Sequence, residues 1–183
     1  MAAGLWILLL AIFCVSNSAL ADAESPVGST PAEWHLTDWM NSKPKRLSDL
    51  RGKVVLVRWW TAPNCNYCRA TAPALNRFYK DYHDRGLEVV GVYHHKSNSP
   101  LKVSNVRKHA ADLGFKFPVA IDRDWRTLKH WWLNDHDDGW TSVSFLIDHR
   151  GVIRHVHPGG SYVEGDADHG ELKRMIEMLL RET

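Results

Sequence analysis

Short apolar runs alternate with amphipathic segments along this 183-residue chain. Residues 54–60 are apolar and rich in β-branched side chains, which is typical of a buried strand. Residues 65–84 place apolar side chains at helical spacing and predict a helix with Pro73 inside it. Residues 88–93 form a second apolar run. A strand, a helix and a strand in this order predict a right-handed parallel unit, whose two strands end at the same edge of a sheet.

The rest of the chain continues this alternation and predicts one α/β domain. An amphipathic stretch before Gly114 predicts a helix, since glycine is favoured directly after a helix end. Two apolar runs separated by His149-Arg150-Gly151 predict a β-hairpin. In chain order, the further predicted elements are a short strand at 34–36, a helix at 103–113, a strand at 117–121, a helical piece at 122–133, hairpin strands at 143–148 and 152–157, and a helix at 171–181.

Two cysteines lie where the first long strand runs into the first helix. Thr61-Ala62-Pro63 breaks the strand, and Asn64 is a favoured residue for the N-cap of the helix. Cys65 is then expected in the first helical turn, with Cys68 one turn later on the same face. Residues three apart in a helix lie roughly 5–6 Å from each other, which is within reach of a disulfide bond.

Three interpretations of this cysteine pair are open. A structural disulfide that closes a loop of about four residues stabilises a protein by only about 2 kcal/mol in the chain-entropy treatment. A structural zinc site needs four ligands, usually two such pairs, and the sequence has no second pair. A redox-active dithiol needs a thiol at the positive end of a helix, where the thiolate is favoured and the thiol pKa falls from ~8.5 towards neutrality or below. Cys65 has that position, which favours the redox interpretation.

Residues 1–21 predict a cleavable signal peptide. An apolar stretch precedes Ala19-Leu20-Ala21, which is typical of a cleavage site. This stretch is shorter than the ~20 apolar residues of a membrane-spanning helix, and an uncleaved anchor is the rival interpretation. Residues 22–33 are small and polar, which predicts a flexible leader before a domain at 34–183. Cleavage would remove Cys14, and export implies an oxidising compartment such as the periplasm, where disulfides persist.

Charge and composition exclude several function classes. The net charge is +2 with 24% charged residues, so nothing favours binding to nucleic acid or to an anionic membrane surface. We therefore expect no nucleic-acid partner, and no stable membrane span once the signal peptide is removed. No cofactor is predicted.

Five different motifs follow one another in a fixed order along most of the predicted mature chain. They are Leu47-Ser48-Asp49-Leu50-Arg51-Gly52-Lys53-Val54-Val55-Leu56-Val57, the Cys65-x-x-Cys68 pair with Pro73 five residues later, Gly86-Leu87-Glu88-Val89-Val90-Gly91-Val92, Phe117-Pro118-Val119 and Phe145-Leu146-Ile147-Asp148-His149-Arg150-Gly151. Together they resemble TlpA-type thiol–disulfide reductases of the thioredoxin superfamily over about residues 47–180. The resemblance implies a thioredoxin-like α/β fold, with a four- or five-stranded mixed sheet flanked by helices, and extracytoplasmic dithiol–disulfide exchange.

The resemblance implies roles for the two cysteines. Cys65 is expected to attack a substrate disulfide, and Cys68 to resolve the mixed disulfide that forms. The reverse sequence would oxidise a substrate dithiol. The family favours reduction, with electrons supplied by a membrane-bound reductase. The expected partners are therefore this electron donor and substrate proteins that carry disulfides or thiols.

Three positions depart from the family pattern. Pro63-Asn64 replaces the tryptophan that is usual before the first cysteine, and Thr71 replaces a glutamate that is a candidate proton acceptor. Ser142 stands where the family has a cis-proline facing the dithiol. Because a cis peptide without proline is disfavoured by ~2.5–4 kcal/mol, we expect a trans bond at Ser142. The usual docking of an extended substrate segment is then not expected to carry over unchanged.

Further polar side chains are expected at the dithiol edge of the predicted sheet, namely His94, His95, Ser142 and His157. A solvated rim is the simplest interpretation, and a group that helps proton transfer is the second. The third is a thiolate–imidazole site for copper(I) or zinc, which would make the protein a metal-delivery protein rather than an enzyme. The other histidines considered are expected at the surface: His35, His83, His109, His130, His136 and His169.

Tryptophan is abundant, with nine residues. Trp59 and Trp60 are expected in the core or in the wall of the dithiol edge. Four further tryptophans either pack in an ordinary core or line an apolar groove for a partner polypeptide: Trp125, Trp131, Trp132 and Trp140. The candidate substrate-binding or edge residues are thus Tyr67, Trp140, Ser142, His94, His95 and His157.

Overall fold

The computed structural model describes residues 25–135 and 139–182. The predicted signal peptide at residues 1–21 and the expected surface residue His136 lie outside the described residues. Within the described ranges, no helix is both long enough and apolar enough to cross a membrane.

Six strands of the described chain form a single mixed sheet. They are β1 Thr37–Met40, β2 Val54–Trp60, β3 Leu87–Tyr93, β4 Val119–Ile121, β5 Ser144–Ile147 and β6 Ile153–His157. Their order across the sheet is β1-β4-β3-β2-β5-β6, with β2, β3 and β4 parallel and the other pairings antiparallel. The predicted α/β architecture and hairpin are confirmed, but the expectation of four or five strands is wrong.

The strand β1 lies at one edge of the sheet. The short strand predicted at 34–36 is displaced to residues 37–40, because Thr37 and Met40 pair antiparallel with β4. Trp34 is buried in the core instead. Pairing with a neighbouring strand, rather than a local apolar pattern, therefore decides where this strand forms.

Helices cover both faces of the sheet. The described residues contain α1 Asn66–Tyr82, α2 Val103–Asp112, α3 Arg126–Leu128, which continues into a π-helical turn at Lys129–Leu133, α4 Ala167–Leu179, and short 3₁₀ turns at Leu47–Leu50 and His83–Arg85. Apolar side chains of α1, α2 and α4 pack in one core cluster. Those of α3, the π-helical turn and the first 3₁₀ turn pack in a second cluster on the opposite face.

β2 is buried on both faces. Leu56 and Trp60 pack in the cluster that contains α1, whereas Val57 and Trp59 pack in the cluster on the opposite face. A strand covered by helices on both sides has a continuous apolar run rather than an alternating one, as residues 54–60 do. Trp59 and Trp60 are fully buried core residues, in agreement with the prediction.

The described part of the predicted flexible leader, residues 25–33, is attached to the edge of the sheet. The amide of Gly28 donates to the carbonyl of Ile153 in β6 (2.8 Å), and the amide of Ile153 donates to the carbonyl of Ser29 (2.9 Å). The indole of Trp131 also donates to the carbonyl of Ala32 (3.0 Å). These bonds join the segment to the domain, and the boundary at residue 34 stays a prediction.

The last helix contains a buried histidine. α4 begins earlier than predicted, because the Asp166 side chain caps its N-terminus by accepting a hydrogen bond from the His169 amide (2.7 Å). The His169 ring stacks on Phe78, with ring centroids 5.0 Å apart. The surface assignment of His169 is therefore wrong, since it lies one turn before Leu172 on the apolar face of the helix.

Candidate functional site

The loop from β2 into α1 places the two cysteines at the end of the sheet. Cys65, not Asn64, is the N-cap of α1: its backbone is extended (φ −102°, ψ 98°), and its sulfur accepts a hydrogen bond from the Cys68 amide (3.1 Å). The predicted cap was wrong by one residue because a cysteine sulfur takes the role that an Asn oxygen usually has. The Cys65 sulfur therefore lies at the positive end of a 17-residue helix.

Cys65 and Cys68 form a disulfide, with Cα atoms 5.2 Å apart. Their sulfurs have different surroundings. Cys65 is half-buried, whereas Cys68 is 3% exposed and its sulfur accepts a hydrogen bond from the Thr61 amide (3.4 Å). An attacking group from solvent can therefore reach Cys65 more readily than Cys68.

Ser142 faces this disulfide from the loop before β5. Its hydroxyl oxygen lies 4.0 Å from the Cys65 sulfur and 3.9 Å from the Cys68 sulfur. The Thr141–Ser142 peptide bond is trans, as predicted, and the cis bond recorded in the described chain is Ala62–Pro63. A small hydroxyl side chain thus takes the place opposite the dithiol.

A cavity of about 620 Å³ opens beside the Cys65 sulfur. Tyr67 and Trp140 stand at its border with their rings in edge-to-face contact, 5.6 Å between centroids, and they are 46% and 44% exposed. The two rings form an exposed apolar patch beside the disulfide, and such patches mark binding sites. Lys96 also lines the cavity. No carboxylate does so among the described residues.

The three predicted edge histidines do not meet at the disulfide. His94 follows β3 with its side chain on the α3 side, where the ring packs edge-on against Trp125 at 5.0 Å. His157 contacts the Tyr162 ring at 5.1 Å and the Asp168 carboxylate at 3.4 Å. Alternation of side chains along β3 places the His94 ring on the face opposite the cysteines, whereas His157 lies on their face but packs beside Tyr162 and α4.

His95 lies close to the loop that leads to Cys65 but bonds elsewhere. One ring nitrogen lies 3.2 Å from the Tyr93 hydroxyl and the other lies 2.7 Å from the Ser99 carbonyl. Among the described residues, no three His, Cys, Asp or Glu side chains are grouped so that they could hold a metal ion. The thiolate–imidazole metal site therefore gains no support from the described residues.

Most of the extra tryptophans belong to the core. Trp131 and Trp132 are buried and pack against Phe145 at 5.5 and 6.2 Å, and Trp125 is half-buried over His94. Trp140 alone of the four lines the cavity at Cys65. The predicted groove of four tryptophans is therefore reduced to one tryptophan and Tyr67.

Arg58, which is 1% exposed within β2, is not among the site residues predicted from the sequence. A cation inside the apolar run 54–60 is the signal that could have identified it. Its guanidinium donates hydrogen bonds to the Gly160 carbonyl (2.7 Å) and the Ser144 hydroxyl (3.3 Å). Thr71, at the position of the family's glutamate, is also buried and accepts a hydrogen bond from the Tyr162 amide (3.4 Å).

A model of the AhpC/TSA family matches residues 27–156. The chain belongs to this family. It is 33% identical over 158 residues to protein DipZ of Mycobacterium bovis and of Mycobacterium tuberculosis, in matches that cover 85% of this chain. These matches cover 21% of each DipZ protein, so the chain spans about a fifth of their length.

Two further relatives match most of their own length. The chain is 32% identical over 145 residues to thiol-disulfide oxidoreductase ResA of Geobacillus thermodenitrificans, covering 79% of this chain and 76% of ResA. It is 26% identical to the crystal structure of a thiol:disulfide interchange protein DsbE from Chlorobium tepidum, with a TM-score of 0.66, covering 84% of this chain and 97% of that one. These similarities confirm the thioredoxin-like fold and the predicted redoxin family.

The buried His94 should make the stability of the protein depend on pH. Burial, together with the charge of Lys96, lowers the pKa of His94 from 6.5 to about 3. Between these values the unfolded chain binds a proton that the folded protein does not, so the free energy of unfolding should decrease as the pH falls. The His94→Leu variant should lack this contribution, which is at most about 1.4 kcal/mol per pH unit.

Urea unfolding at several pH values between 7 and 4 measures this effect, with His130→Leu on the protein surface as the matched control. The free energy of unfolding of the wild type minus that of His94→Leu should decrease as the pH falls. The corresponding difference for the control should stay constant. A pH-independent difference for His94→Leu would show that the ring does not resist protonation.

Proposed function

We propose that this protein is a thiol–disulfide oxidoreductase whose Cys65–Cys68 pair exchanges with disulfides of substrate proteins, by preference in the reducing direction. The observation that carries the proposal is the asymmetry of the pair: a half-buried Cys65 sulfur caps α1 and is bonded to a buried Cys68 sulfur. The backbone dipoles of α1 favour a thiolate at Cys65 after reduction. Similarity to ResA, which is named a thiol-disulfide oxidoreductase, supports the same activity.

The reaction begins with the reduced pair. The Cys65 thiolate attacks one sulfur of a substrate disulfide, a Cys65–substrate bond forms, and the first substrate sulfur leaves as a thiolate that takes a proton from water. Cys68, after losing its proton, then attacks the Cys65 sulfur and releases the second substrate thiolate. Two electrons pass to the substrate, and the Cys65–Cys68 disulfide described here is the product state.

The proposal also includes the cellular compartment of the protein and the source of its electrons. The apolar N-terminal stretch and Ala19-Leu20-Ala21 support export to the periplasm. There the oxidised pair needs a continuing supply of two electrons, for which the family resemblance supports a membrane-bound donor. Sequencing the N-terminus of protein from its own cells tests export: a start after Ala21 is expected, and an intact leader would contradict cleavage.

Serine substitutions of the two cysteines should affect insulin reduction in different ways. With dithiothreitol as electron source, the wild type should accelerate insulin reduction and Cys65→Ser should not, because the attacking sulfur is gone. Cys68→Ser, reduced beforehand and freed of dithiothreitol, should accumulate a mixed disulfide with insulin, since the resolving sulfur is missing. Insulin precipitation and non-reducing gels measure the two effects.

Val163→Ser is the matched control, because it also introduces a serine, at an exposed position that does not line the cavity at Cys65. It should leave insulin reduction unchanged. Wild-type activity in Cys65→Ser, or a mixed disulfide formed through Cys68 rather than Cys65, would contradict the assigned roles.

The exposed pair Tyr67 and Trp140 should contact polypeptide substrates. Their rings border the cavity next to the Cys65 sulfur, where a substrate side chain beside the reacting cysteine would pack. Substituting either residue with alanine should raise the KM for insulin roughly tenfold, which corresponds to about 1.4 kcal/mol of lost contact. The rate with oxidised glutathione, which carries no large apolar side chain to pack against the rings, should change much less.

Steady-state kinetics with both substrates separates binding from chemistry. Val163→Ala is the matched control, since Val163 is also an exposed apolar side chain but does not line the cavity. An equal loss with insulin and glutathione would mean that the rings act on the disulfide itself and not on the polypeptide.

A further inference from the structure

Arg58 carries a positive charge into the interior beneath the disulfide. Its guanidinium hydrogen bonds go to neutral groups, the Gly160 carbonyl and the Ser144 hydroxyl, and its carbon atom lies 5.3 Å from the centre of the Tyr162 ring. The third nitrogen, Nε, is buried without a hydrogen-bond partner. Arg58 is therefore held by dipoles and an aromatic ring.

This charge has no anionic partner within the described residues. Neither aspartate nor glutamate forms an ion pair with Arg58 there, although buried cations in proteins are usually paired. Burial lowers the pKa of Arg58, yet a guanidinium starts so high that it keeps its proton. A buried, charged and unpaired guanidinium is costly, and a negative charge that forms nearby would offset part of that cost.

Three connections place Arg58 on the same side of the sheet as the disulfide. Side chains of β2 alternate, and Leu56 and Trp60, on either side of Arg58 at spacing two, share a core cluster with Cys68. The guanidinium bonds Ser144, two residues along the chain from the Ser142 hydroxyl that lies 3.9 Å from the Cys68 sulfur.

Tyr162 makes the third connection, between Arg58 and α1. Its ring lies beside the Arg58 guanidinium, and its amide donates to the hydroxyl of Thr71, which is one turn after Cys68 in α1. Two residues of an extended chain span about 7 Å, so the cation lies on the order of 10 Å from the Cys68 sulfur.

We infer that Arg58 is a positioning residue for redox chemistry: it stabilises the negative charge that appears on Cys68 and Cys65 when the disulfide is reduced, and so raises the reduction potential of the pair. The inference rests on the proposed disulfide exchange at Cys65. A disulfide is neutral and a thiolate is not, so a fixed cation favours the reduced state over the oxidised one. The residue thus makes the pair a weaker reductant than the same fold without this charge.

Reduction by glutathione shows where the charge develops. A glutathione thiolate attacks the Cys65 sulfur, the Cys65–Cys68 bond breaks, and its electron pair leaves on Cys68 as a thiolate. A second glutathione thiolate attacks the glutathione sulfur of the mixed disulfide, which forms oxidised glutathione and releases the Cys65 thiolate. Two electrons enter the protein, and the first negative charge lies on the buried sulfur.

The field of Arg58 already acts on other groups around it. Burial is the main cause that lowers the pKa of His157, and the Arg58 charge lowers it further, while Asp168 opposes both. Burial, the Lys96 charge and Arg58 together lower the pKa of His94. Ser144, His157 and Tyr162 lie near Arg58 from β5, β6 and the following loop, and the Asp168 carboxylate lies beyond His157. Among the described residues, no carboxylate forms an ion pair with Arg58.

The test compares the reduction potentials of neutral and charged variants at one pH. The fraction of reduced Cys65–Cys68 is measured in glutathione buffers by alkylation and mass spectrometry. Arg58→Met and Arg58→Gln should each shift the equilibrium about tenfold towards the disulfide, equivalent to a potential lower by about 30 mV. Arg58→Lys should shift the equilibrium by no more than the neutral variants do, because a buried ammonium loses its proton more readily than a guanidinium.

Two neutral variants are used because Gln can still bond Gly160 or Ser144 if Met disturbs folding, and circular dichroism identifies the folded ones. Tyr162→Phe is the matched control: it loses the hydroxyl contact to Ser144 (3.1 Å) but leaves the cation in place, so its potential should match the wild type. An unchanged potential in a folded neutral variant would overturn the inference, as would a shift in Tyr162→Phe as large as in the neutral variants.

This outcome is independent of the outcome for the proposed function. The glutathione equilibrium reports the cysteine pair itself and can be measured whether or not insulin is a substrate. A shifted potential without insulin reduction would support the role of Arg58 and contradict the proposed function. Insulin reduction with an unshifted potential would support the proposed function and contradict the role of Arg58.

Discussion

The hydrogen bond from the Cys68 amide to the Cys65 sulfur is the interaction on which the rest of the site depends. It makes Cys65 the N-cap of α1, so the same sulfur that meets solvent also meets the positive end of a helix. That geometry holds because α1 packs on β2 through a continuous core, in which Ala72 and Phe78 meet Leu56 and its neighbours.

Around this pair, the chain has hydroxyl side chains at the two positions where the resembled family has a glutamate and a cis-proline, and a buried cation lies nearby. Ser142 faces both sulfurs, Thr71 takes the glutamate position, and Arg58 lies beneath them. All three side chains lie on the same side of the sheet as the disulfide, and the inferred role of Arg58 is to favour negative charge on its sulfurs. The site therefore combines a familiar dithiol with an altered electrostatic environment.

Much of this could be predicted from the sequence, because buried strands and amphipathic helices leave periodic patterns. The β2–α1–β3 unit and the position of Cys65 and Cys68 follow directly from residues 54–93. Details that depend on tertiary contacts did not follow: Asn64 is not the cap, and His94 points to the α3 side of the sheet. Arg58 was not predicted as a site residue because residues 54–60 are apolar on average. Its contacts with Ser144, Gly160 and Tyr162 depend on the tertiary structure.

The central claim is that the helix end turns Cys65 into the reactive thiolate of the pair. Its most direct test is the pH dependence of Cys65 alkylation in the reduced protein, followed by peptide mass spectrometry to separate it from Cys68. The account predicts a half-maximal rate at a pH of about 7 or lower, well below the ~8.5 of a free cysteine. A Cys65 profile like that of free cysteine, or a Cys68 that ionises first, would contradict it.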